Sequence, residues 1–203
     1  MTPETLEAFA EELEKLASLR VVKDHPELEK LLKPGDILAT KPKDEFLKKG
    51  PLRHKLLRPL LTTFQGVDHT HVGMYVGDGR VVDAGEWRGK AKVTSVPLST
   101  YLKRYDLKVL RVNATNSEKK DAVGFAKEQV GKPFSLKKMI RLALPVSKDN
   151  ERVREEADSV FCSELVANAY GSKGFGSGRL SKHVRPVDIQ KSSLTKTIAV
   201  TGS

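Results

Sequence analysis

The chain has 203 residues, enough for one sizeable domain with an extension, of which 38% are hydrophobic and 31% charged. No apolar run is long enough to cross a bilayer as a helix, and the acidic start lacks the basic-then-apolar order of a secretory leader, so a cytoplasmic protein is expected. The formal net charge of +10 suits an anionic membrane surface or an acidic partner, but no zinc-finger spacing, RNA-binding aromatic signature or helix-turn-helix pattern points to specific nucleic acid, and a solvated surface is the plainer reading.

Thr2, Pro3 and Glu4 supply an N-cap, a proline at the first helical position and an acid at the positive end of a helix. Leu6, Phe9, Leu13 and Leu16 repeat at helical spacing to about Leu19, leaving an apolar stripe for the domain or a partner to cover. Asp24 to Glu27 starts a second short helix, so residues 1–33 read as a helical extension and 34–200 as the main domain. Pro34, Gly35 and Asp36 make a turn into a strand through Thr40. Residues 47–61 form a basic amphipathic segment interrupted by Pro59. Val93–Val96 and Lys108–Val112 read as strands, with a helical turn between them at Ser99–Arg104. Asn116 to Glu118 caps a helix that Gly131 and Pro133 end, and a second basic amphipathic segment occupies 135–144. Residues 147–157 are charged, and glycines crowd Gly171–Gly178; residues 147–157 and 171–182 are candidate lids. Between them a helix capped by Asp158 or Ser159 carries Cys162 and ends at Gly171. A last strand covers Thr197–Val200.

The stretch that organises the rest is Thr70–Ala84. Two arms rich in β-branched and aromatic residues flank Gly77-Asp78-Gly79, a hairpin signal. His71 lies on one arm and Asp83 on the other. Side chains alternate faces along a strand, so a loop of odd length, three or five residues, is needed to put both on one face. An imidazole beside a carboxylate then lacks only a nucleophile. Cys162 is the one cysteine; it excludes an intramolecular disulfide and suits a reducing compartment. A thiol attacks as the thiolate, which the first turn of a helix and a neighbouring imidazole both favour. If the two segments meet, Cys162 is the nucleophile, His71 the general base and acid, Asp83 the residue that holds the ring, and the Cys162 N–H an oxyanion donor. A core cysteine and a core histidine in unrelated places is the competing reading.

Other residues receive plainer assignments. His69 and His71 form an H-x-H pair, but without a second cysteine or a closely spaced third histidine no metal is assigned, and His69 is placed on the cleft rim. Tyr75 is assigned to packing, Glu164 to a cap or salt link, and Trp87 to the cleft lip or the sheet edge. His25 is read as solvated or capping, and His54 and His183 have no identifiable partner. No cofactor is expected. The leucines of 47–61 and 135–144 are assigned to the core, with a membrane surface as the alternative.

The segments Pro34–Leu38, His71–Ala84, Gly131–Phe134, Phe161–Val166 and Pro186–Asp188, in that order, resemble the circularly permuted branch of the NlpC-type papain-like cysteine hydrolases, the YiiX-like proteins, over roughly residues 34–190. Relatives of lecithin:retinol acyltransferase share the plan, in which the histidine strand precedes the cysteine helix. The resemblance implies an α+β fold with a small antiparallel sheet flanked by helices. It also implies Cys162, His71 and Asp83 as the catalytic set, with Asp83 the least fixed because relatives vary there. The expected activity is hydrolysis or acyl transfer at an amide or ester of a peptide, isopeptide or acyl-lipid. A catalytically inactive binding module, using the basic surface and the N-terminal helix, is the alternative.

Overall fold

Strand β2 (Ile37–Pro42) lies at the middle of the sheet. In the computed structural model it pairs antiparallel with β3 (His71–Gly77) on one side and β6 (Tyr105–Val112) on the other. The structure describes residues 5, 20–22, 24–45, 69–87, 89–134, 160–171, 174, 175 and 184–202. Beyond β3 come β4 (Arg80–Trp87) and β5 (Lys90–Pro97); beyond β6 come β7 (Thr195–Thr201) and β1 (Arg20–Val22), giving seven strands ordered β1-β7-β6-β2-β3-β4-β5. All neighbours are antiparallel except β1 and β7. The sheet is larger than expected, and β1 is a strand that the sequence pattern does not announce.

Period-two alternation divides the core into two layers. Ile37, Ala39, Val72, Met74, Val82 and Ala84 point to one face, where they meet α3 (Asn116–Glu128) and α4 (Cys162–Ala169). Leu38, Tyr75, Val81, Trp87, Leu107 and Val109 point to the other, where they meet α1 (His25–Leu31) and α2 (Leu98–Arg104). Leu28 of α1 is fully buried there beside Leu32 and Val22, so the described part of residues 1–33 packs with the sheet. Burying one such leucine contributes about 1.5–3 kcal/mol.

Local chemistry sets the element ends. The Asp24 carboxylate accepts from the Glu27 N–H at 2.7 Å and caps α1. Helix α3 is capped by Thr115 rather than Asn116, with a reciprocal Thr115–Glu118 capping box. The turn before β2 is held by Asp36, whose carboxylate accepts from Arg111 Nε at 3.0 Å, Arg111 Nη2 at 2.8 Å and the Lys33 N–H at 2.8 Å. Tyr170, just past α4, donates to the Gly35 carbonyl at 2.7 Å and ties the cysteine helix to the same turn. Pro186 opens a short helix, α5 (Pro186–Gln190), where the sequence reading has no helix, and Asp188 accepts from the Arg185 N–H and guanidinium. Among the described residues no helix is long and apolar enough to cross a membrane. The expected helix up to Leu19, the caps Asp158 and Ser159, the segments 47–61, 135–144 and 147–157, His54, His183 and most of the Gly171–Gly178 stretch lie outside the described residues.

Candidate active site

The hairpin that carries His71 and Asp83 does not use a three- or five-residue loop. Asp78 and Gly79, at φ +52° and +61°, form a two-residue turn with both central residues left-handed, the type I′ geometry. Gly77 pairs with Arg80, but Tyr75 pairs with Val81 and Met74 with Val82, so Val76 is an extra residue in a β-bulge. The bulge makes the parity change that the loop was expected to make, and the Tyr75 hydroxyl clasps the turn by accepting from the Gly79 N–H at 3.3 Å. His71 and Asp83 therefore share a face as diagonal neighbours, with His71 Nε2 2.8 Å from Asp83 Oδ1. Continuing the Met74–Val82 register puts Gly85 opposite His71 and Gly73 opposite Asp83. A Cβ at Gly85 would stand 3.1 Å from Asp83 Oδ1 and 3.5 Å from His71 Cε1, so its absence leaves room for the contact.

Cys162 is the first residue of α4, after Phe161 in extended conformation, so its N–H is among the helix-end groups without an intrahelical partner. Phe161 offers no side-chain cap; its own N–H donates to Glu164 at a long 3.4 Å. Ser163, fully buried, donates to the Val184 carbonyl at 2.7 Å and fixes the first turn of α4 against the chain that leads to α5. Helix α4 packs on β3 and β4, and the thiol lies near enough for its charge to raise the His71 pKa. Because Nε2 is engaged by Asp83, Nδ1 is the ring nitrogen left for sulfur.

Aromatic side chains that the sequence reading did not single out complete the setting. Tyr105 stacks on His71 with centroids 6.3 Å apart, and Tyr101 lies 5.0 Å from Tyr105 and 5.7 Å from Trp87. Trp87 is thus a buried layer behind the histidine, covered by the Arg104 guanidinium at 4.1 Å. Only the order along the chain, an aromatic in α2 and another at the start of β6, hinted at these positions. The His69 carbonyl accepts from Gln190 Nε2 at 2.6 Å, which ties the start of the histidine strand to α5. The His71 side chain is 20% exposed and Asp83 0%, while Cys162 is 1% exposed. The ring is the part of the site open to solvent.

Burial disfavours the charged His71 ring, but Asp83 and Cys162 outweigh it and raise its pKa well above 6.5. A raised folded-state pKa means that protonation stabilises the fold. The contribution is complete below the unfolded value near 6.5 and is lost as pH rises through the folded value. Urea unfolding across a pH series should therefore show stability falling above about pH 6.5, with a smaller fall in Asp83→Asn. Parallel curves for the two proteins would contradict the coupling.

A histidine held by a buried carboxylate, beside a thiol at a helix N-terminus, with histidine strand before cysteine helix, defines the permuted papain-like class. The chain belongs to the family of permuted papain-like amidase enzymes of the YaeF/YiiX type, the C92 family, which it matches over residues 47–182. The crystal structure of the metalloprotein YiiX from Escherichia coli O157:H7 is similar in fold, with a TM-score of 0.53 and 18% identity over 82% of this chain and 96% of that one. No curated protein matches the chain. Among the described residues no group of three or more His, Cys, Asp or Glu side chains is placed to hold a metal ion.

Proposed function

We propose that the protein is a cysteine hydrolase that cleaves an amide or ester bond through an acyl-enzyme on Cys162. The observation that carries the reading is the 2.8 Å contact between His71 and the buried Asp83, with Cys162 acting on the same ring. Asp83 accepts the Nε2 proton and so selects the tautomer with a lone pair at Nδ1. Nδ1 takes the thiol proton, and the sulfur attacks the substrate carbonyl. The Cys162 N–H faces the oxygen as it gains charge. His71 then protonates the leaving nitrogen or oxygen as the tetrahedral intermediate collapses to a thioester. In the second half His71 removes a proton from water, hydroxide attacks the thioester, and the proton returns to sulfur. An acceptor alcohol or amine in place of water would make the reaction an acyl transfer, as in the acyltransferases that share the permuted plan.

The family supports hydrolysis of an amide. The substrate class we propose is a peptide, isopeptide or acyl-lipid, with a basic surface (formal net charge +10) suited to an anionic membrane and the N-terminal segment available to a protein partner. The burial of Cys162 favours a second reading, a binding module of the same fold in which the sulfur is core. An electrophilic acyl or vinyl probe separates the two. Wild-type protein should be labelled at Cys162, as mapped by mass spectrometry, and Cys162→Ala should not. Folded wild-type protein that resists the probe would support the module.

A further inference from the structure

We propose that Tyr101 is a positioning residue, whose hydroxyl donates to Oδ2 of Asp83, the carboxylate oxygen that His71 leaves free. The role takes its catalytic meaning from the cysteine-hydrolase reading, but the placement stands on geometry. Asp83 Oδ2 and the Tyr101 hydroxyl are both buried, and neither has a hydrogen-bond partner. A buried carboxylate oxygen and a buried hydroxyl each cost stability when left unmade, and one bond between them satisfies both.

A strand register and one glycine-derived distance locate the hydroxyl. Gly73 lies opposite Asp83 in the hairpin register. A Cβ at Gly73 would stand 2.7 Å from the Tyr101 oxygen, so the hydroxyl occupies the space that a side chain at position 73 would fill, on the flank of Asp83. The ring is held there by Trp87, stacked at 5.7 Å and 22°, and by Tyr105 at 5.0 Å. Burial, then the charge of Asp83, pushes the Tyr101 pKa well above 10, so the hydroxyl stays protonated and available as a donor. The chain of contacts becomes Tyr101, Asp83, His71, Cys162, running from one core layer to the other.

The test is Tyr101→Phe, read by NMR titration of the His71 ring in the intact chain, with thermal unfolding to check the fold. Without the hydroxyl, more of the Asp83 charge is felt by the imidazole. The His71 midpoint should rise measurably, because a carboxylate that has lost a hydrogen-bond donor holds the charged imidazole more strongly. In an Asp83→Asn background the same change should have no further effect, since coupled residues are non-additive. A midpoint that stays in place or falls in folded Tyr101→Phe would overturn the role, as would an equal rise in the Asp83→Asn background. A second measurement leaves Tyr101 unchanged: wild-type protein should show a slowly exchanging, downfield hydroxyl proton that Asp83→Ala, which has no side-chain acceptor, loses, and its persistence in folded Asp83→Ala would also overturn the role. Neither readout needs turnover. Failure of Cys162 labelling would remove the hydrolase reading while leaving the titration interpretable.

Discussion

Replacing Cys162 or His71 with alanine is expected to lower kcat/KM on a cleaved amide or ester by roughly 10⁴-fold or more, and the double variant should be little worse than either single. The non-additivity is the informative part. Sulfur without its base keeps its proton, and the base without sulfur has nothing to activate, so the second loss removes what the first has already disabled. Both variants should remain folded. Cys162→Ala deletes one atom from a core that Leu165 and Val166 still fill, and His71 is at the first position of its strand, with its side chain one-fifth exposed. Progress curves with equal protein, checked by circular dichroism, provide the measurement. Losses that add on a logarithmic scale would mean that the two residues act separately.

Asp36→Ala should cost about 3 kcal/mol of unfolding free energy. Asp36 is 2% exposed and accepts from both Arg111 and the Lys33 N–H, so its loss leaves Arg111 Nε and a main-chain donor without their acceptor. Arg111 keeps its bond to the Leu31 carbonyl at 2.9 Å, and its side chain is a quarter exposed, which places the cost at the lower end of the range for a broken buried pair. Asp36→Asn retains one acceptor and should lose less. Urea denaturation reads the difference, and an Asp36→Ala midpoint equal to wild type would show that water replaces the carboxylate without penalty. Because the Asp36 turn also receives Tyr170 through Gly35, this variant should loosen the C-terminal end of the cysteine helix before the sheet.

Much of the fold is legible in the sequence because its elements carry strong local signals. The alternation in Thr70–Ala84, the short helix started at Asp24 and the helical run that follows Thr115 all appear in the structure close to their expected bounds. Strand β1 is not legible, since three residues between helical patterns carry no period; its pairing is supplied by the free edge of β7. Helix α5 had a signal, proline at its first position and Asp188 two residues on, but five residues are too few for periodicity to register. Phe161 could not be foreseen as an N-cap because it has no side-chain acceptor.

At the candidate site, counting residues gives a shared face for His71 and Asp83 only with a loop of odd length, and the structure reaches it instead with a two-residue turn and a bulge. A bulge has no sequence signature comparable to a turn, and Val76 looks like any other strand valine. Tyr101 and Tyr105 were invisible as neighbours of the histidine because only the long-range pairing of β6 with β2 brings them to that layer.

The unpaired Val76 makes the hairpin sensitive to the parity of its length. Exchanging Val76 for another apolar residue alters only local packing, whereas losing one residue from that arm would turn the side chains ahead of it, the imidazole included, toward the opposite layer. Length variants that keep the histidine in place must therefore differ by two residues, or lose the bulge and lengthen the turn together. Insertions and deletions at this tip are filtered by odd and even before any question of packing arises.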